Sequence, residues 1–154
     1  MLKKRVAAIA LTATVSMATA VVTLFEGNEP EAYVDPVGVV TICYGHTESA
    51  KLGQTHTDAQ CDELLKADLG KALAAVDRHA QVQLPIERRA ALASFVFNVG
   101  EGAFKRSTLL RKLNAGDPAG ACAELSRWVY AGGRKLEGLV RRRQVERELC
   151  EVGL

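Results

Sequence analysis

The sequence predicts an α+β domain that is mostly helical, with one small β-hairpin near its front and an apolar helix at its N-terminus. Residues 6–25 form a run of twenty residues without a charge. Asp35-Pro36-Val37-Gly38 is a turn signal between the β-branched stretches Tyr33-Val34 and Val39-Val40-Thr41-Ile42. Beyond it, apolar residues recur at helical spacing almost to the end of the chain.

The apolar helix follows Lys3, Lys4 and Arg5. Twenty helical residues rise about 30 Å, the hydrocarbon thickness of a bilayer. Basic residues on one flank favour a cytoplasmic N-terminus and an exported remainder. The span is only mildly apolar, because Thr12, Thr14, Ser16, Thr19 and Thr23 stand among six alanines. Three readings stay open. Ala18-Thr19-Ala20 offers a small-x-small cleavage site for a signal peptide. A permanent anchor is weakened by the hydroxyls. An anchor that later leaves the membrane accounts for both the length and the weak hydrophobicity. The expected boundaries are therefore an export segment, residues 1–25, and a globular domain, residues 26–154.

In the globular part, Thr57 and Gln60 form a capping box ahead of Leu65, Leu69, Leu73 and Val76. Pro85 suits the first turn of a helix through Phe97 that closes near Gly100. Ser107 begins a short helix ending at Gly116. Asp117-Pro118 begins another, expected to run to Gly132-Gly133, and a last helix covers about residues 138–151. At 154 residues the whole fits one compact domain, in two small lobes around a cleft.

Composition excludes several classes. With 48% hydrophobic and 25% charged residues the chain is neither disordered nor fibrous. A net charge of +2 does not make a nucleic-acid binder. Arg141-Arg142-Arg143 reads as one solvated helical face. Cys43, Cys61, Cys122 and Cys150 contain no C-x-x-C pair and no Cys/His cluster, so no metal is expected. In an exported protein they form two disulfides in any of three connectivities, or remain thiols.

Glu26 precedes the hairpin, Asp35 lies in its turn and Thr41 on its second strand. A glycosidase needs one carboxylic acid to protonate the leaving oxygen and a second carboxylate for water or nucleophilic attack. A glutamate at the end of an apolar segment and an aspartate in a wetter turn occupy different environments, which separates those roles. Thr41 is placed to orient a water beside Asp35. On spacing alone, however, two acids nine positions apart are an ordinary surface pattern.

The stretch FEGNEPEAYVDPVGVVTICYGHT closely resembles the catalytic segment of phage-type lysozymes, glycoside hydrolase family 24. The likeness continues through TDAQCDELLKADL, RRAALASFVFNVG, STLLRKLNAGD and SRWVYAGGR to GLVRRRQVERELC, in order across nearly all of residues 25–151. Within the family the sequence is most similar to endolysins with a signal-anchor-release N-terminus. The resemblance implies a lysozyme-like two-lobed fold. It also implies inverting hydrolysis of the β-1,4 bond between N-acetylmuramic acid and N-acetylglucosamine in peptidoglycan. The roles implied are Glu26 as general acid, Asp35 as the residue that positions or activates water, and Thr41 as its helper. The segment would hold the enzyme in the bacterial inner membrane until release to the periplasm. Some release-type endolysins carry an anchor cysteine that rearranges a blocking disulfide. Residues 1–25 contain none, so refolding must activate this chain.

Other candidates carry weaker signals. His46 reads as a structural residue, with Asp68 its partner by the resemblance. Arg134 is a candidate cation against Glu26, or a solvated loop charge. Asn98 either lines the cleft or closes a helix, and Trp128 reads as core. No cofactor and no nucleic-acid partner are expected, and the chain is expected to act as a monomer. A membrane-tethered wall-binding module lacking activity is disfavoured by the presence of both acids. A one-acid lytic transglycosylase is disfavoured by the Asp35–Thr41 pair.

Overall fold

The computed structural model describes residues 2–154. Seven helices and two hairpins follow in the order α1 (Leu2–Phe25), β1 (Glu29–Val34), β2 (Val40–Cys43), α2 (Asp58–His79), α3 (Ile86–Val99), α4 (Glu101–Lys105), α5 (Thr108–Asn114), α6 (Pro118–Glu124), β3 (Tyr130–Ala131), β4 (Arg134–Lys135) and α7 (Glu137–Cys150). This is a mostly helical α+β fold with the expected hairpin at the front.

The hairpin pairs Tyr33 with Thr41 and Val34 with Val40, with an irregularity between Glu29 and Tyr33. Its inner residues Ile42 and Cys43 pack with Cys61 of α2 into a small cluster of their own. The Cys43–Cys61 disulfide ties this lobe to the start of α2. Thr57 caps α2 as its sequence implies: its hydroxyl accepts from the Gln60 N–H at 3.2 Å, and the Gln60 side chain accepts from the Thr57 N–H at 2.8 Å. The 22 residues of α2 give a rod about 33 Å long that joins the two lobes.

The larger lobe is helical. Val76 of α2, Leu92 and Phe95 of α3, Phe104, Leu109, Leu113 and Leu125 form its core, together with the Cys122–Cys150 disulfide that binds α6 to α7. Closing loops of 18 and 28 residues, the two disulfides each stabilise by roughly 3 kcal/mol on the chain-entropy estimate.

The N-terminal helix packs into a second buried cluster. Thr14, Ala18, Val21 and Val22 are buried, and they recur on one helical face. Ala18 and Val22 pack on Leu65, Leu69 and Leu73 of α2 and on Ala90 and Ala93 of α3. Small residues on both sides let α1 and α3 approach closely. Three of the five hydroxyls of this helix turn to its own backbone: Thr12 donates to the Ala8 carbonyl, Thr14 to Ala10 and Thr23 to Thr19. A hydroxyl satisfied within its own helix tolerates both lipid and a protein interior. The first half of α1 remains largely uncovered, with Val6 and Ile9 exposed.

Three details depart from the sequence expectations. Pro85 is the residue before α3 rather than in its first turn. Gly100, at φ 84°, both ends α3 and begins the short helix α4, which no periodic signal in the sequence marks. The helix expected from Pro118 to Gly132 stops at Glu124. A single 3-10 turn, Leu125–Arg127, then brings Trp128 edge-on to Phe95 with centroids 5.2 Å apart. Gly132 and Gly133, at φ 56° and 75°, are not a helix stop but the turn of a second hairpin, in the left-handed geometry that two-residue hairpins require.

Two predictions follow from this packing. Ala18→Leu adds three carbons where Ala18 is 1% exposed. It should prevent α1 from docking and cost about 1–3 kcal/mol of thermal stability, whereas Ser16→Leu on the exposed face should leave the soluble fold intact and increase retention in membrane fractions. Separately, Lys112 and then Arg127 hold the Glu124 carboxyl below its ordinary value of 4.5. Because the folded value is the depressed one, this stabilisation is complete above about pH 5 and is lost as pH falls below it. Melting curves between pH 6 and 3 should show a shallower decline for Glu124→Gln than for the parent.

Candidate active site

The site begins at the C-terminus of α1. The Glu26 N–H donates to the Val22 carbonyl at 2.9 Å, so Glu26 continues the last turn of the docked helix. Its carboxylate meets Arg142 of α7, with Nη1 2.5 Å from Oε1. The Arg142 side chain is 3% exposed and that of Glu26 29%. Arg142 is fixed on its other edges: Nε donates to Glu146 Oε1 at 3.0 Å and Nη2 to the Ser94 carbonyl of α3 at 3.2 Å.

This corrects three expectations. The cation against Glu26 is Arg142, and Arg134 is exposed in β4, because α7 rather than the preceding loop packs beside α1 and α3. The triple arginine is not a solvated face: Arg141 is exposed, but Arg142 and Arg143 are buried. Glu26, expected to differ from Asp35 by ending an apolar segment, also meets a buried cation there.

The hairpin supplies the second carboxylate. Its turn is closed by Asp35, whose Oδ1 accepts from the N–H groups of Val37 at 2.9 Å and Val39 at 2.8 Å. These bonds fix the carboxylate plane and leave Oδ2 without a protein partner among the described residues. Thr41 is 5% exposed, and its hydroxyl donates to the Val39 carbonyl at 3.1 Å. With its proton so committed, the Thr41 oxygen is left to accept from a water. The same residue, Val39, gives its N–H to Asp35 and its carbonyl to Thr41, so one turn orients both side chains.

His46 Nδ1 lies 2.7 Å from Asp68 Oδ2, and its Nε2 lies 2.8 Å from the Ser49 hydroxyl. Both ring nitrogens are engaged and the ring is buried, which suits a cross-brace between the hairpin lobe and α2. A cleft of about 330 Å3 opens beside it, lined by Thr47, Glu48, Lys71, Phe97 and Glu101. Glu26 and Asp35 are not among its lining residues. Asn98 stands at the end of α3 and accepts from the Arg143 guanidinium. Trp128 packs against the core, as its sequence context suggests.

Arg142, Arg143, Glu146 and Ser94 were not legible as site residues. The one signal for them is spacing: Arg142 and Arg143 stand four and three positions before Glu146, where helical side chains meet. Hydrophobic periodicity treats all three as solvent-facing and so passes over them.

Glu26 beside Arg142 and Asp35 in the hairpin turn are carboxylates on separate elements of a mostly helical fold with one small hairpin at its front. The profile of the phage lysozyme family matches residues 23–146, and the chain belongs to that family. The SAR-endolysin of Enterobacteria phage PA-2 is 44% identical over 159 residues, which cover 99% of this chain and 96% of the relative. Among solved structures, the muramidase domain of SpmX from Asticaccaulis excentricus superposes with a TM-score of 0.81 at 34% identity, covering 87% of this chain and 94% of that one. The active form of the P1 phage endolysin Lyz shares the fold with a TM-score of 0.80 at 23% identity, over 95% of this chain and 93% of that one. The secreted inactive form of the same endolysin gives 0.55, over 69% and 76%. The protein is thus a peptidoglycan-hydrolysing endolysin of the lysozyme kind.

The His46–Asp68 contact should be energetically coupled. A double-mutant cycle on thermal stability with His46→Ala and Asp68→Ala is expected to return about 1–3 kcal/mol. A coupling near zero would show the pair to be incidental.

Proposed function

We propose that Glu26 is the general acid, Asp35 the residue that activates water and Thr41 its positioning partner. Together they would hydrolyse the β-1,4 bond between N-acetylmuramic acid and N-acetylglucosamine with inversion. The observation that carries this reading is the fixing of Glu26 by Arg142 at the junction of α1 and α7. Arg142 engages Oε1 and leaves Oε2 without a protein partner among the described residues, free to deliver a proton to the glycosidic oxygen. Asp35 Oδ2 is likewise free to take a proton from water, while Thr41 accepts the water's second hydrogen. As the C–O bond breaks, the leaving oxygen gains the proton of Glu26. The water oxygen bonds to the anomeric carbon from the opposite face, and its proton passes to Asp35.

The same junction explains the delivery. A helix that is long and apolar enough to cross a membrane runs directly into Glu26. With Lys3, Lys4 and Arg5 retained in the cytoplasm, the remainder would lie in the periplasm. While residues 6–25 are in lipid, Glu26 is held at the membrane surface, away from Arg142. Release lets α1 dock through Thr14, Ala18, Val21 and Val22 and brings the acid into place. The SAR-endolysin relatives and the likeness to an active-form fold support this sequence of events.

Purified peptidoglycan should be digested with the parent protein, Glu26→Gln and Asp35→Asn. Each substitution is expected to lower kcat by roughly 100- to 10,000-fold. The parent should release reducing muramic acid ends in the α-configuration, read by NMR within the first turnovers. Anhydro-sugar ends would identify a transglycosylase, a β-product would identify retention, and an active Glu26→Gln enzyme would overturn the acid assignment.

A further inference from the structure

We infer that Glu146 is a positioning residue for the reaction, whose single buried charge aims Arg142 at Glu26 and offsets the second cation, Arg143, so that Glu26 can carry a proton. The inference rests on the reading of Glu26 as the general acid.

Glu146 is completely buried, and each of its oxygens has a defined task. Oε1 accepts from Arg142 Nε at 3.0 Å and from the Ser94 hydroxyl at 2.7 Å. Oε2 accepts from Arg143. With Nε given to Glu146 and Nη2 to Ser94, Arg142 has Nη1 left for Glu26. Arg143 is held similarly: Nε donates to the Trp128 carbonyl at 3.0 Å, another edge donates to Asn98, and the guanidinium lies 5.0 Å over the Phe95 ring. One carboxylate therefore orients two guanidinia, one directed at the proposed acid and one at the end of α3.

A buried ion network of this kind is seldom the most stable way to fill a core. Well-packed apolar side chains of similar volume often do as well or better. Its contribution here is charge. Arg142, Arg143, Glu146 and ionised Glu26 sum to zero, and protonating Glu26 leaves one net positive charge. Without Glu146, ionised Glu26 would already leave one net positive charge, and a protonated Glu26 would leave two. Burial and the neighbouring Arg142 cation already press on Arg143, although the Glu146 carboxylate offsets part of this. A carboxyl facing a less neutralised cation gives up its proton at lower pH.

The charged groups bonded within this cluster come from α7 and α1. Arg142, Arg143 and Glu146 lie on α7. On α3, Arg88 is committed through Nε to the Cys150 carbonyl at 3.0 Å. Glu26 ends α1, and Asp35 lies in the β1–β2 turn, bonded within that turn. No charged group of α2 bonds to the cluster among the described residues.

The test is the pH dependence of peptidoglycan hydrolysis by the parent, Glu146→Gln, Arg143→Met, the double variant and Glu26→Gln. Circular dichroism should confirm the fold of each. Glu146→Gln should move the alkaline limb of kcat to lower pH by about half a unit or more, a threefold or larger loss on that limb, with KM within about twofold of the parent. Arg143→Met should move the limb the other way, and the double variant should restore it. If Glu146→Gln does not fold, Arg143→Met and the double variant still read the charge balance. A uniform loss of kcat with an unmoved limb in every folded variant would make Glu146 merely structural and overturn the inference. If Glu26→Gln stays active, the acid assignment fails first; if Glu26→Gln is inactive and the limbs do not move, only the role of Glu146 fails.

Discussion

Arg142 occupies a position in the middle of α7 where a charge is hard to sustain. Its guanidinium is all but removed from water, and an arginine does not shed its charge on burial. It is tolerated because carboxylates meet it from two directions, Glu146 from one turn further along the same helix and Glu26 from the end of α1. Removing one partner of a buried pair typically costs about 3–5 kcal/mol, since the remaining charge is left uncompensated. A contact 116 residues apart in sequence links the N-terminal helix, the proposed acid and the helical lobe.

The N-terminal helix has to satisfy two surroundings, and its composition reflects both. Lipid requires a run without charges and with every hydrogen-bonding group satisfied inside the helix. The protein interior requires a narrow face that fits against Ala90 and Ala93. Alanines and back-bonded threonines meet both demands, whereas a uniformly leucine-rich helix would meet only the first. The burial of Thr14 shows the compromise most clearly, since its hydroxyl is spent on the Ala10 carbonyl and its methyl is left to pack.

Much of this was legible in the sequence because local signals and tertiary structure agree. The capping box at Thr57, the hairpin around Asp35 and the run of residues 6–25 each state their structure in a few residues. The phage lysozyme resemblance named Glu26, Asp35 and Thr41 where spacing alone did not. The second hairpin was not legible because Gly132-Gly133 ends a helix and turns a hairpin equally well; the choice depends on Trp128 reaching Phe95. The cation beside Glu26 was misplaced for a related reason. Arg134 follows two glycines in a loop and so suggests reach, whereas Arg142 stands among polar residues that a periodicity argument assigns to solvent. Only the packed α7–α3–α1 interface shows that its polar stripe points inward. Disulfide connectivity, Cys43–Cys61 and Cys122–Cys150, also waited on the fold.

Under the proposed function, one event, the docking of α1, completes the active site. This is tested most directly by assaying the same polypeptide in two states: anchored by its N-terminus in sealed vesicles with the enzymatic domain outside, and after release from them. Soluble peptidoglycan fragments serve as substrate, so that access to the wall is not limiting. The account predicts negligible turnover by the anchored protein and full turnover by the released one, with no change in covalent structure. Equal turnover in both states would show that Glu26 reaches its place without the docked helix, and would contradict the account.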